Sequence, residues 1–189
     1  DLGLGEGKTA LDLGAGTGKF TPNLLAAGAT VIAVEPSAAM LEQLIARCPG
    51  VEARQGSADR IPLPDAPVAA VVCAQSFHWF AAAAALDEIR RVLRPWGVLG
   101  LIWNVRDETV DWVARLSRIT DPHEGDAPRY RSGAWRGLFP AAGFGPRSIA
   151  GKGRARAALA GRAGATVAEA RRLRAACSFS AALAPHIPP

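Results

Sequence analysis

The chain has 189 residues, 49% of them hydrophobic, and a formal net charge of +5. That suffices for one domain with its own core and is too apolar for a disordered chain, and no apolar run approaches the ~18 residues of a membrane span. The positive charge is confined to one end: residues 1–144 carry 14 Lys and Arg against 16 Asp and Glu, and residues 145–189 carry 8 against the single acid Glu169. A nucleic-acid partner is therefore disfavoured for the folded-looking part. Cys48, Cys73 and Cys177 are far apart and odd in number. They offer neither metal spacing nor a disulfide framework, which fits a reducing cytoplasm, and no metal is expected. Asp1 rather than Met stands shortly before the first predicted strand, so a trimmed N-terminus is expected.

Thr9 to Asp12 reads as a strand, and Gly14-Ala15-Gly16-Thr17-Gly18 as a tight loop. Phe20 to Ala27 reads as a helix that stops near Gly28. The glycines allow a sharp turn and close ligand approach, and the helix start offers free N–H groups to an anionic or polar group. An ordinary βα turn is the competing reading. Two ligand classes are excluded by spacing. The dinucleotide fingerprint needs Gly where Lys19 stands, and the phosphate loop needs Ser or Thr where Phe20 stands. Upstream, Gly7-Lys8-Thr9 ends like a phosphate loop, but Leu2 occupies the required glycine position.

Thr30 to Val34 is a β-branched apolar run, read as a buried parallel strand ending at Glu35 and Pro36. A carboxylate there suits two adjacent ribose hydroxyls, or is simply a solvated acid at a strand end. Ser37 is an N-cap for a helix whose core face is Leu41, Leu44, Ile45 and Cys48, and Val51 to Gln55 is a third strand. Val68 to Ala74 is apolar throughout and reads as a central strand. It leads into Gln75-Ser76-Phe77-His78-Trp79-Phe80. His78 is a candidate general base, or a pocket wall and hydrogen-bonding partner. A helix over Ala81 to Leu93, a break at Arg94-Pro95-Trp96-Gly97 and a fifth strand over Val98 to Trp103 follow. Asp107 to Ile119 reads as a further helix, and the polar stretch Asp121 to Arg131 as a loop able to form a substrate lid. Trp79, Tyr130 and Trp135 are candidate substrate contacts, with core packing as the alternative. The loop, Glu35, Asp59 and Gln75 all fall at C-terminal strand ends, where open parallel sheets bind ligands.

Four signatures carry a family resemblance: Asp12-Leu13-Gly14-Ala15-Gly16-Thr17-Gly18, Glu35, Gly56 to Pro64 with Ile61-Pro62-Leu63-Pro64, and Glu88 to Gly97. Together they resemble the class I S-adenosylmethionine (SAM)-dependent methyltransferases of the small-molecule, type 11-like branch, over about residues 9–144. The resemblance implies an α/β fold, a doubly wound and mostly parallel sheet with helices on both faces. It implies SAM as cofactor and methyl transfer to a small-molecule substrate, a carboxylate or hydroxyl, by in-line displacement. Asp12, Gly14, Gly16 and Gly18 would shape the methionine pocket, with Gln75 near it. Glu35 and Pro36 would hold the ribose, and Met40, Ala58 and Asp59 the adenine. Two departures stand out: Trp96 where the family usually has Gly, which predicts strain at a tight turn, and Ala81 where Asp is common after His-Trp-Phe. The sequence leaves the oligomeric state open.

Residues 145–189 differ in kind: Ala, Arg, Gly and Pro make up 30 of the 45. The family would supply a β-hairpin here, yet alternation is faint, so the sheet edge is expected to be incomplete. Val167 to Ala176 could form a short helix. The composition admits a flexible basic tail or a shifted reading frame in a GC-rich gene. Two rival functions accompany the methyltransferase reading: a degraded SAM-binding homologue, and a nucleic-acid-binding protein acting through the tail.

Overall fold

The computed structural model describes residues 2–139, 144–148 and 155–163. Five strands run parallel: β1 (Thr9–Leu13), β2 (Thr30–Glu35), β3 (Glu52–Gln55), β4 (Val68–Ala74) and β5 (Leu93–Asn104). Two more, β6 (Phe144–Ser148) and β7 (Ala155–Ala163), complete one sheet in the order β3-β2-β1-β4-β5-β7-β6. β7 is antiparallel to both of its neighbours.

The strand period of two sends successive side chains to opposite cores. Leu11 and Leu13 join Ile32, Val34, Val71, Leu99 and Leu101 on one face, whereas Ala10 joins Val31 and Val72 on the other. Helix α1 (Thr21–Ala26) places Leu24 in the second core. Helix α3 (Ala83–Val92) places Ala85, Leu86, Ile89 and Val92 in the first. Helices therefore cover both faces, as the doubly wound reading expects. Each fully buried Leu or Ile in α3 contributes about 1.5–3 kcal/mol, enough to hold a helix that has no side-chain cap.

Helix α2 (Ala38–Arg47) starts at the predicted cap, where the Ser37 hydroxyl accepts from the Met40 N–H at 3.4 Å. Its core face is narrower than predicted. Leu44 and Cys48 are buried, but Ile45 is 50% exposed. The helix rests on β2 and β3 at the sheet margin, where there is little surface to cover a wider stripe. Helix α4 (Asp111–Thr120) begins later than predicted because the Asp107 carboxylate accepts from the Thr109 N–H and hydroxyl, a side-chain turn that competes with the helix. β5 begins directly after α3, and Arg94-Pro95-Trp96-Gly97 forms a kink within it where the register against β4 shifts. Trp96 sits at φ +66°, so the strain predicted at that turn is present.

The expectation of an incomplete sheet edge is corrected. β7 pairs with β5 from Val98 to Asn104, and β6 pairs with β7. Ladder pairing uses backbone groups, so an Ala-rich segment with faint alternation can still cover an edge strand. The division drawn at residue 144 falls at the start of β6. Residues 164–189, including the helix read over 167–176, lie outside the described residues.

Candidate functional site

The strand order reverses between β1 and β4, so the loops that follow these two strands diverge and leave a crevice. A cleft of about 1680 Å³ opens there.

The glycine loop forms one wall. Gly14 and Ala15 donate to the Val34 carbonyl at 2.9 and 3.2 Å, which ties the loop to β2. Gly14 has φ +68°, and a Cβ there would lie 2.7 Å from Ser76 Cβ, so both conformation and space require glycine. Ser76 in turn donates its hydroxyl to the Leu13 carbonyl at 2.7 Å, locking the end of β4 to the end of β1. Gly18 does not line the cleft. A Cβ there would meet Leu44 Cγ at 2.9 Å, so this glycine admits α2 rather than a ligand.

Two acids stand at the neighbouring strand ends. Glu35 is 6% exposed, and its Oε2 and Oε1 accept from the Gly16 and Ser37 N–H groups at 2.9 and 3.0 Å. Each oxygen keeps a further lone pair. Asp12 is 1% exposed, and its Oδ2 accepts from the Thr21 hydroxyl at 2.8 Å. Asp12 Oδ1 is buried with no partner, and the residue lines the cleft. Burial pushes the Asp12 carboxyl up from 3.8 to about 6; the Thr21 hydrogen bond opposes the shift and Glu35 adds to it.

Pro36, Met40, Ala58 and Asp59 line the far side of the loop. Met40 is 45% exposed there, so it is a cleft residue and does not fill the core. The segment carrying Ala58 and Asp59 is held to α3 by Arg91. Its guanidinium donates to the Ile61 and Leu63 carbonyls at 3.0 and 2.7 Å and to the Glu88 and Asp65 carboxylates. Glu88 accepts from the Ile61 N–H at 2.9 Å, and Arg91 holds its carboxyl below the usual range.

Gln75, His78, Trp79 and Trp135 line the opposite end. Gln75 has φ +60°, an unusual conformation for a side-chain-bearing residue. Tyr130 does not line the cleft. It packs behind it against Trp103 and Trp135, at ring centroid distances of 4.7 and 5.8 Å. Trp135 does both, being 7% exposed in the core cluster with one edge on the cleft. His78 Nδ1 accepts from the Trp103 indole N–H at 3.0 Å. An indole N–H only donates, so that nitrogen's lone pair is in use and the neutral ring carries its proton on Nε2. The general-base reading of His78 needs a lone pair that this ring has already committed. Burial and the Arg129 charge push the imidazole pKa down.

Several lining residues escaped the sequence reading: Lys19, Asn104, Arg129 and Ser132. Asn104 ends β5, so the strand-end rule would have found it. Arg129 stands in the stretch Asp121 to Arg131, which the sequence marked as able to form a substrate lid, and Ser132 directly after it, but no local signal singled out either side chain. Among the described residues, no helix is long and apolar enough to cross a membrane.

The methyltransferase-domain family profile matches residues 11–101. An uncharacterised methyltransferase-like protein of Schizosaccharomyces pombe is 49% identical over 143 residues, 75% of this chain and 56% of that protein. An uncharacterised methyltransferase of Mycobacterium tuberculosis is 48% identical over 124 residues, 66% of this chain and 51% of that protein. The chain thus spans about half the length of the curated relatives it matches. A SAM-dependent methyltransferase of Aquifex aeolicus shares the fold, with a TM-score of 0.65 at 24% identity over 84% of each chain. By the profile match and these relatives, the chain belongs to the methyltransferase-domain family, on the fold it shares with the Aquifex aeolicus protein.

Proposed function

We propose that the protein transfers a methyl group from SAM to a small-molecule acceptor, a carboxylate or a hydroxyl, with both reactants held in the cleft between β1 and β4. The pair of acids beside the glycine loop carries this reading. Asp12 Oδ1 is a buried oxygen without a partner, which an ammonium group such as the cofactor's amino group would satisfy. Glu35 keeps a lone pair on each oxygen, which vicinal ribose hydroxyls would fill. The residues present therefore fit the cofactor.

When bound, SAM supplies a sulfonium methyl to which an acceptor lone pair bonds as the C–S bond breaks, the bonding pair staying on sulfur. The protein's work is alignment and exclusion of water. Gly14 and Gly16 bring backbone close to the ligand, Pro36, Met40 and Ala58 offer apolar contact to adenine, and Asp59 an acceptor for its amino group. Gln75, His78, Trp79 and Trp135 border the acceptor. A carboxylate needs no base, and a hydroxyl would have to lose its proton to a group other than His78 Nδ1. Cys48 and Cys73 are buried free thiols, consistent with a reducing, cytoplasmic setting.

The test is incubation with methyl-labelled SAM and a panel of small carboxylates and phenols. Label is expected in an extractable product, in an amount that falls in Glu35→Ala. A folded chain that binds the demethylated cofactor, S-adenosylhomocysteine, yet labels nothing in the panel would favour the degraded-homologue alternative.

A further inference from the structure

The acceptor end of the cleft has a specific chemistry. Resting on the proposed methyltransferase reading, we infer that the acceptor is a carboxylate with an apolar body, recognised by the Arg129 guanidinium together with the Nε2–H of His78.

Two cations line the cleft, Lys19 and Arg129. Lys19 belongs to the glycine loop and the cofactor side. Arg129 stands with Asn104, Ser132, His78, Trp79 and Trp135 at the other side. Its ion-pair partner is Glu124, which approaches Nε at 3.4 Å. Asp121, the other nearby acid, is gripped by both terminal nitrogens of Arg131 at 2.8 Å. Among the described residues, nothing else engages the terminal nitrogens of Arg129, so its paired N–H donors remain for a ligand.

His78 adds a second donor. The Trp103 indole occupies Nδ1 and fixes the tautomer, so Nε2 carries hydrogen. Trp103 is itself fully buried and stacked on Trp135 at 4.7 Å, so the ring that sets this tautomer is immobile. Burial, and after it the nearby Arg129 charge, disfavours the imidazolium, which keeps the ring a neutral donor. A guanidinium and one neutral N–H supply a single positive charge. Those planar donors match the two oxygens of a carboxylate, and a phosphate dianion would bring a second negative charge up to Glu124, which already pairs with Arg129. Trp79, 58% exposed, Trp135 and Leu138 border this end and suit an apolar body.

The test is calorimetric titration of phenylacetate, phenylacetamide and phenyl phosphate into the full chain saturated with S-adenosylhomocysteine. The variants are Arg129→Met, His78→Leu and His78→Gln, each checked for folding by its melting transition. The expected result is phenylacetate binding about 10- to 100-fold tighter than the amide, the range that loss of a charge-assisted hydrogen bond gives. Arg129→Met should abolish that preference and leave cofactor-product affinity unchanged. His78→Leu should weaken phenylacetate, and His78→Gln, which keeps a donor near Nε2, should recover part of it. If S-adenosylhomocysteine binds but the amide binds equally well, or Arg129→Met keeps the preference, the inference is overturned while the cofactor site stands. Tighter binding of phenyl phosphate overturns the carboxylate assignment. Absence of S-adenosylhomocysteine binding by folded protein overturns the proposed function and this inference together.

Discussion

Replacing Asp12 by Asn should change the pH dependence of folding in a way that can be worked out beforehand. The carboxyl is raised from 3.8 to about 6 in the fold because it is 1% exposed and one oxygen lacks a partner. The folded state thus holds a proton that the unfolded chain releases. Its contribution to stability is fully present below pH 3.8 and is lost as pH rises through about 6. A shift of about two pH units corresponds to about 3 kcal/mol, of which about 1.4 kcal/mol is lost between pH 5 and 7.5. Asn does not titrate, so any fixed packing offset of the variant is the same at both values. Urea unfolding of wild type and Asp12→Asn without ligand, at pH 5 and 7.5, isolates this contribution. The stability difference, variant minus wild type, should rise by about 1.4 kcal/mol toward high pH. A difference that does not change with pH would refute the buried, unpartnered carboxyl. The same variant should bind S-adenosylhomocysteine more weakly, so the feature that costs stability would serve the ligand.

Three further perturbations follow from the geometry. Trp96→Gly relieves a left-handed conformation at φ +66° in a half-exposed kink and should raise the melting temperature by about 2–4 °C, read by calorimetry. Gly14→Ala forces a Cβ to within 2.7 Å of Ser76 and should cost about 2 kcal/mol or more in urea unfolding, with loss of cofactor-product binding. Arg91→Met strips partners from Glu88 and from the Ile61 and Leu63 carbonyls. It should cost about 1–3 kcal/mol of stability. It should also weaken S-adenosylhomocysteine binding, because the segment carrying Ala58 and Asp59 loses its tie to α3; unchanged affinity would contradict that role.

The parts of the fold that were legible are those written in local pattern. β1, β2 and β4 are short apolar runs that end at Gly14, Glu35 and Gln75, and a parallel sheet brings such ends to one side. The strain at Trp96 was legible because a single residue type conflicts with a turn. What was hidden depends on partners distant in sequence. The His78 tautomer is set by Trp103 from the next strand, 25 residues away. Gly18 looks like a cofactor glycine until Leu44 of α2 is seen against it. The pairing of β7 with β5 leaves no side-chain signature, because it is made by backbone groups in an Ala-rich segment. Arg129 is one of two arginines in the stretch Asp121 to Arg131, and nothing local marks it rather than Arg131 as the one that lines the cleft.

The central claim is a SAM-class site built on the glycine loop and Glu35, and S-adenosylhomocysteine binding by calorimetry tests it most directly. The unsubstituted chain should bind in the micromolar range, and Glu35→Ala should lose about 1–3 kcal/mol of that affinity while remaining folded, as expected on removing a buried hydrogen-bonding acid. No binding by a chain with a cooperative melting transition, or equal binding by Glu35→Ala, would contradict the account.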